Sequence, residues 1–479
     1  MKIRRRTAIG ITLIVLIGLT SWGLVGALEE QSYIDQGKAE YHRGNYDAAI
    51  YLFNKAIELN PDNHYLYNDR GLCYLAAGDT DTAISNFSKA IELESDFAKA
   101  YYNRGLAYFK TYYSPAGYGN MKLLDSAISN HSKAIELEPN YVDAYYNRGL
   151  AYNQFFHYYD KPFSPEINET YNKALADFDK VLELDPTYVL AYAGKGNAYY
   201  RYGEFDNATA EFNRALNSTY IILQKSGDPG LAGVYASRAR NYKEIRQLNE
   251  SISDYINARE LNPEPMVLLT ILGHQASNYQ IIGEYNKAIE LCNEEIALPI
   301  FEWYPYAYYA YTLRGACYYE LGEYGKAISD FEKVIEEYES ELEAHAYMYL
   351  GMAHSEAGNE TEARAAFESA VDLYNVTIEV GGWVGAGTYN DRGLCYLGLD
   401  EYDLAIPDFE KVIELEPNYV DAHSGKNLYI EAYKNLGIAY SASGDKDKAR
   451  DYLEEGLRLA NEQGLEETAT EIENLLDKL

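Results

Sequence analysis

YNDRGLCY at residues 67–74 returns as YYNRGLAY at 101–108, YYNRGLAY at 145–152 and YNDRGLCY at 389–396. Each copy is followed by a second related segment: AISNFSKAIELE (83–94), AISNHSKAIELEP (127–139), ALADFDKVLELDP (174–186) and AIPDFEKVIELEP (405–417). Two alternating segments recurring every ~34 residues mark a chain of stacked structural repeats. Working outward, eleven units align, starting at residues 30, 64, 98, 142, 189, 232, 269, 308, 344, 386 and 430.

The residue types at fixed unit positions give the local structure. Position 4 is aromatic (Tyr33, Tyr67, Tyr101, Tyr145, Tyr389), position 8 is Gly (Gly71, Gly105, Gly149, Gly315, Gly393) and position 11 is Tyr (Tyr74, Tyr108, Tyr152, Tyr199). Spacings of four and three place these residues on one face of a helix. Positions 20, 24 and 27 do the same on a second helix, with Ala49, Ala83, Ala127 and Ala405 at position 20. Small residues at 8 and 20 let two backbones approach, and the aromatic positions fill the space beside them. Pro at position 32 (Pro61, Pro139, Pro186, Pro263, Pro417) ends the second helix. A helix pair of this kind buries its apolar face only against the next pair. Units six and seven depart most from the pattern, with Ala239 and Ala276 for Gly and Ser251 for Ala, and are expected to be the weakest stretch.

This pattern resembles the tetratricopeptide repeat family. The resemblance implies an all-α, right-handed superhelical solenoid of antiparallel helix pairs, here about eleven repeats plus a C-terminal capping helix. It also implies a concave groove lined by positions 2, 5, 9, 12 and 13 of each first helix. In units two to four those positions hold Tyr65, Leu72, Leu75, Tyr102, Leu106, Phe109, Tyr146 and Leu150, an apolar and aromatic stripe suited to a peptide. The basic and amide side chains with which some members clamp an acidic tail are not reproduced. Units three and four carry insertions near 112–121 and 156–168. Their aromatics, Tyr112, Tyr113, Tyr118, Phe156, Tyr158, Tyr159 and Phe163, are expected to form a lip beside the groove.

The ends differ from the array. Residues 1–28 read MKIRRRTAIGITLIVLIGLTSWGLVGAL: a basic tip, Lys2 and Arg4–Arg6, and then 21 uncharged residues from Ala8 to Leu28. A helix of that length crosses a bilayer core, and the basic tip keeps the N-terminus cytoplasmic. The expected domains are an anchor at 1–28, the repeat array at 30–463 and a capping helix at 464–479. The localisation expected is a single-pass cell-membrane protein with its bulk outside the cytoplasm. The alternative is a secretory signal cut near Val25-Gly26-Ala27, which gives a secreted protein. Eight Asn-x-Ser/Thr sequons, at Asn86, Asn130, Asn168, Asn207, Asn217, Asn249, Asn359 and Asn375, suit an extracytoplasmic chain.

Composition narrows the function. There are 74 acidic and 41 basic residues, for a formal charge of −33, which repels phosphate backbones and excludes nucleic acid as a partner. A basic partner is favoured by the same charge. Tyr is abundant, 51 against 14 Phe and 3 Trp, which suits thin layers whose sides stay near water. Cys73, Cys292, Cys317 and Cys395 form no CxxC pair and fall at core positions, so they read as small buried thiols. No HExxH, GxSxG or GxxxxGK[ST] motif occurs, and GGWVGAG at 381–387 lacks the lysine of a phosphate loop. The Asp and Glu residues read as solvated helix surface. No cofactor, metal or catalytic residue is expected, so the chain reads as a non-enzymatic scaffold for proteins or peptides. The competing reading is a carbohydrate- or cell-surface-binding protein that uses its exposed aromatics.

Overall fold

The computed structural model describes residues 26–113, 117, 120–154, 165–222, 230–301, 307–337, 343–380, 384–415 and 427–479. Residues 8–25 of the expected anchor lie outside this set, and no helix among the described residues is long and apolar enough to cross a membrane. The described residues form helices and no β-strand. They fall into two compact units, Met1–Ser226 and Gly227–Leu479.

The first unit holds five antiparallel helix pairs. They are α1 (26–42) with α2 (Tyr46–Leu59), α3 (His64–Ala77) with α4 (Thr80–Leu93), α5 (Ala98–Tyr112) with α6 (Met121–Leu137), α7 (Val142–Gln154) with α8 (Pro165–Leu184), and α9 (Val189–Arg201) with α10 (Phe205–Ile222). The second holds six: α11 (Gly230–Glu244) with α12 (Leu248–Glu260), α13 (Pro265–Ile281) with α14 (Tyr285–Ile296), α15 (Ala307–Glu320) with α16 (Tyr324–Glu337), α17 (Glu343–Glu356) with α18 (Glu360–Val380), α19 (Ala386–Gly398) with α20 (Tyr402–Leu415), and α21 (Leu428–Ser443) with α22 (Lys446–Glu462). A last helix, α23 (Glu466–Leu476), closes this unit. Ala469 and Ile472 of α23 are buried against Ile430, Leu453 and Ala460, so the cap covers the apolar face that the last pair leaves open.

One contact brings the two helices of a pair together. The position-8 glycine lies against the position-24 ring: a Cβ would stand 2.6 Å from the Phe87 ring at Gly71, 2.9 Å from Phe331 at Gly315 and 2.8 Å from Phe409 at Gly393. Those rings are fully buried, so no side chain larger than hydrogen fits. Unit seven makes the exchange in reverse, with Ala276 at position 8 and the smaller Cys292 at position 24, both buried. In unit six the Ser251 hydroxyl donates to the Ala239 carbonyl at 2.6 Å and accepts from Asn278 at 2.7 Å. The hydroxyl that interrupts the pattern is therefore satisfied.

The turn between paired helices uses the left-handed region at position 15. Gly44, Gly78, Gly203, Gly283, Gly322, Gly358 and Gly444 have φ between 73° and 94°, and Arg246 and Asp400 take the same region at 59° and 64°. In units three and four, which carry the insertions, the paired helices are joined over longer stretches, between Tyr112 and Met121 and between Gln154 and Pro165.

Five acidic residues that share one repeat position are not solvated surface, which corrects the sequence reading for them. Asp177, Glu211, Asp254, Asp330 and Asp408, all at position 23, are buried. Each faces a position-7 cation on the paired helix. Arg238 forks onto Asp254 at 2.7 Å, Arg314 onto Asp330 at 2.6 and 2.8 Å, and Arg392 onto Asp408 at 2.6 and 2.8 Å. Asn86 and Asn130 replace the acid in units two and three, accepting from Arg70 and Arg104 at 2.8 Å. The same cations reach back to the preceding pair: Arg70 to Asn54 at 2.6 Å, Arg104 to Ser88 at 3.0 Å, Arg148 to Ser132 at 3.0 Å, Lys195 to Asp179 at 2.8 Å, Arg314 to Asn293 at 2.6 Å and Arg392 to Asn375 at 2.8 Å. The position-4 ring covers the guanidinium, at 5.4 Å for Tyr67 and Arg70 and 5.3 Å for Tyr311 and Arg314.

The sequons divide accordingly. Asn86 and Asn130 are buried acceptors in these clips, and Asn375 is a half-buried one. Asn207, Asn217, Asn249 and Asn359 are exposed. All four cysteines are free and buried, and burial pushes the Cys73 and Cys317 thiols up to about 12.

The glycine contact makes a quantitative demand. Gly393→Ala overpacks the Phe409 ring and is expected to lower stability by about 2 kcal/mol in urea unfolding. Gly325→Ala, on a helix where a Cβ meets nothing within 4 Å, is expected to leave stability unchanged or raise it by up to ~1 kcal/mol. Equal effects from the two would contradict the packing described.

Candidate functional site

On the first helices of units two to four the residues of the expected stripe are all at least partly exposed, and an aromatic corner that the sequence reading left out lies beside them. Tyr65 stands out at 57% exposure, and Leu72, Leu75, Leu106, Phe109 and Leu150 are half-buried. Leu72 and Leu75 lean on the cluster of Ala83, Phe87 and Ala107. Leu150 and Tyr146 lean on the cluster around Phe178. Each leucine thus gives one side to the core and leaves the other on the surface.

The position-5 tyrosines are held between successive pairs. Tyr102 packs on Tyr141 with ring centroids 4.9 Å apart and lies 5.6 Å from the His131 ring. Tyr146 packs on Tyr188 at 5.0 Å and on Phe178 at 6.0 Å. Tyr65 repeats the arrangement with Phe97 at 5.1 Å and His64 at 4.1 Å. The second ring always comes from the residue just before the next unit: Phe97, Tyr141 or Tyr188. A signal for it was present, because SDF, PNY and PTY end at those residues, directly after each second helix. Truncating Tyr102 or Tyr146 therefore removes packing between pairs as well as groove surface.

The lip needs correction. Tyr112 is 2% exposed, the last residue of an extended α5, and it contributes to the core rather than to a rim. Tyr113 is exposed at 51% and sits edge-on to Phe109 at 5.2 Å. Tyr118, Phe156, Tyr158, Tyr159 and Phe163 lie outside the described residues.

Electrostatics at this corner are governed by burial. Burial, and after it the charge of Asp143, raises the Tyr102 hydroxyl above its ordinary range, and Tyr188 responds to the same two causes. Burial pushes Tyr146 up to about 12. His131 takes the place of the position-24 phenyl ring, fully buried, with both ring nitrogens unpartnered. Burial first, and Arg148 second, push it down to about 3, so the ring is neutral. Glu295 occupies the position-27 site of unit seven, buried against Gly273, and burial pushes it up to about 8. Among the described residues no group of three or more His, Cys, Asp or Glu converges as a metal site.

Comparison with known proteins places this architecture. Profiles described as "Tetratricopeptide repeat" match residues 168–220, 312–375 and 386–462, and one described as "TPR repeat" matches 37–78, 71–111 and 124–154. Together they cover more than half of the chain. The Hsp70-Hsp90 organizing protein of Triticum aestivum is 25% identical over 249 residues, 47% of this chain and 42% of that protein. Sperm-associated antigen 1 of Homo sapiens is 32% identical over 146 residues, 27% of this chain and 16% of that one. The chain thus spans less than half the length of these curated relatives. The crystal structure of yeast Tom70 aligns over 94% of this chain and 96% of its own, with 16% identity and a TM-score of 0.42.

His131 generates a pH prediction. Its folded pKa lies below its unfolded value of 6.5, so below that pH the unfolded chain binds the extra proton and stability falls as pH drops. The slope is up to ~1.4 kcal/mol per pH unit. His131→Phe restores the ring used elsewhere and is expected to lessen the loss of first-unit stability between pH 6.5 and 5. An unchanged pH profile would contradict the neutral buried histidine.

Proposed function

Because the chain belongs to the tetratricopeptide repeat family, we propose that it is a membrane-tethered, extracytoplasmic scaffold that binds segments of other proteins. The observation that carries this is the row of apolar and aromatic side chains on α3, α5 and α7, with Tyr65 exposed and Leu72, Leu75, Leu106, Phe109 and Leu150 half-buried. Side chains fixed by the core on one side and open on the other lose little entropy on contact, which is what recognition surfaces require. The Hsp70-Hsp90 organizing protein is named for arranging two other proteins, and a protein partner for this chain follows that likeness. Basic segments suit its charge of −33. The tether is residues 8–28, whose charge-free run and basic flank support a cytoplasmic N-terminus and an outer repeat array.

Peptides selected from a random library on the purified full chain are the probe. Tyr65→Ala with Phe109→Ala is expected to weaken their binding about tenfold or more, since aromatic anchors that lose water commonly contribute ~2 kcal/mol. The same peptides, labelled, are expected to stain unpermeabilised cells stripped of any outer wall. Binding that ignores both substitutions overturns the groove, and staining only after permeabilisation overturns the topology.

A further inference from the structure

We propose that Asp143 and the tyrosines beside it form a receptor for a cationic side chain, a guanidinium or ammonium carried by a basic peptide. The proposal rests on the peptide-binding reading above and names the chemistry of its ligand.

The argument starts from the clips inside the protein. At Tyr145, Arg148 and Asp177 a guanidinium lies 5.6 Å from the ring centroid and 2.7 Å from the carboxylate. The arrangement recurs at Tyr235, Arg238 and Asp254, and at Tyr389, Arg392 and Asp408. In this fold a tyrosine face beside a carboxylate is repeatedly occupied by a cation from the chain itself.

One further place has the rings and the carboxylate without the cation. Tyr102 packs on Tyr141, and Tyr146 packs on Tyr188. The Tyr188 hydroxyl donates to Asp143 Oδ1 at 3.4 Å, and the Tyr102 hydroxyl accepts from Asn147 at 3.3 Å. All four rings are half-buried and Asp143 is exposed. Among the described residues no lysine or arginine pairs with Asp143 or covers any of these four rings. The carboxylate is felt across the cluster: after burial, its charge helps to hold the Tyr102 and Tyr188 hydroxyls protonated.

The chemistry selects the ligand. Ring faces carry negative charge density and attract cations, and a carboxylate at their edge accepts charge-assisted hydrogen bonds. A guanidinium satisfies both at once, stacking its plane on a ring while its N–H groups reach the oxygens. An acidic or phosphorylated segment meets repulsion from Asp143 and from the chain as a whole. The net charge of −33 draws basic segments in, and the local geometry decides where one docks.

The test is titration of the full chain in detergent with a hexa-arginine peptide at physiological salt, followed by calorimetry. General attraction to the acidic surface is the competing explanation, so the control removes one exposed acid elsewhere on the same unit, Asp81→Asn. Asp143→Asn is expected to weaken binding at least about fivefold with unchanged melting, and Asp81→Asn to change it less than about twofold. Tyr188→Leu should weaken binding while Tyr188→Phe keeps most of it, because the ring face does the work. Hexa-glutamate should not bind. Equal responses to Asp143→Asn and Asp81→Asn overturn the proposal, as does tight binding in Tyr188→Leu. If hexa-arginine binds no variant while library-selected peptides still respond to Tyr65→Ala with Phe109→Ala, this inference falls and the groove reading stands. If those peptides ignore that pair while hexa-arginine responds to Asp143→Asn, the groove falls and the receptor stands.

Discussion

Seven of the eleven repeats carry a cation at position 7, and six of these cations join neighbouring helix pairs. Arg70, Arg104, Arg148, Lys195, Arg314 and Arg392 each bridge the two helices of their own pair and one helix of the pair before. A side chain engaged on three helices at once fixes register as well as contact, which apolar packing alone does poorly. It also explains the tyrosines. In six units the position-4 ring covers a guanidinium, at Tyr67, Tyr101, Tyr145, Tyr235, Tyr311 and Tyr389, and in seven units position 24 is a buried phenylalanine. Burial pushes the Asp177 carboxyl up and the Arg148 guanidinium pulls it back, so the partly buried pair depends on both members being present.

What the sequence made legible was whatever depends on spacing and size. Gly71, Gly315 and Gly393 against Phe87, Phe331 and Phe409, and the cap at Ile472, follow from periodicity because sterics permit few other residues there. The acids were misread because Asp254, Asp330 and Asp408 lie one residue before the core ring, where a helical wheel leaves their depth ambiguous until the opposing arginine is placed. Tyr141 and Tyr188 escaped attention because they lie at the corner between repeats and not on a helix face. Lys434 shows the same limit: groove numbering puts it on open surface, yet it is 13% exposed and pairs with Glu431 and with Glu471 of the cap, both at 2.7 Å. Burial opposes its charge, and those two carboxylates outweigh it and hold the ammonium above its ordinary range.

The departures from pattern are where chemistry accumulates. His131 replaces a phenyl ring next to Tyr102, so the candidate peptide surface rests on a buried imidazole that the fold holds neutral. Glu295 replaces a small apolar residue in unit seven, beside a glycine that leaves it room. It remains protonated near neutral pH, and its contribution is lost as pH rises from the ordinary carboxylate range through about 8. The sequence marked units six and seven through Ala239, Ala276 and Ser251. The structure sets Ala276 with the smaller Cys292 and satisfies the Ser251 hydroxyl, and Glu295 is a further buried departure in unit seven.

If position-7 cations join neighbouring pairs, the Arg392 guanidinium and Asn375, which meet at 2.8 Å across two pairs, must be energetically coupled. A double-mutant cycle with Arg392→Met and Asn375→Ala, read by urea unfolding of the second unit, measures this directly. A hydrogen bond from a charged donor in this partly buried setting predicts a coupling of about 1.5 kcal/mol or more. Additivity to within about 0.3 kcal/mol would show that the pairs stack by apolar contact alone and that the clip is incidental.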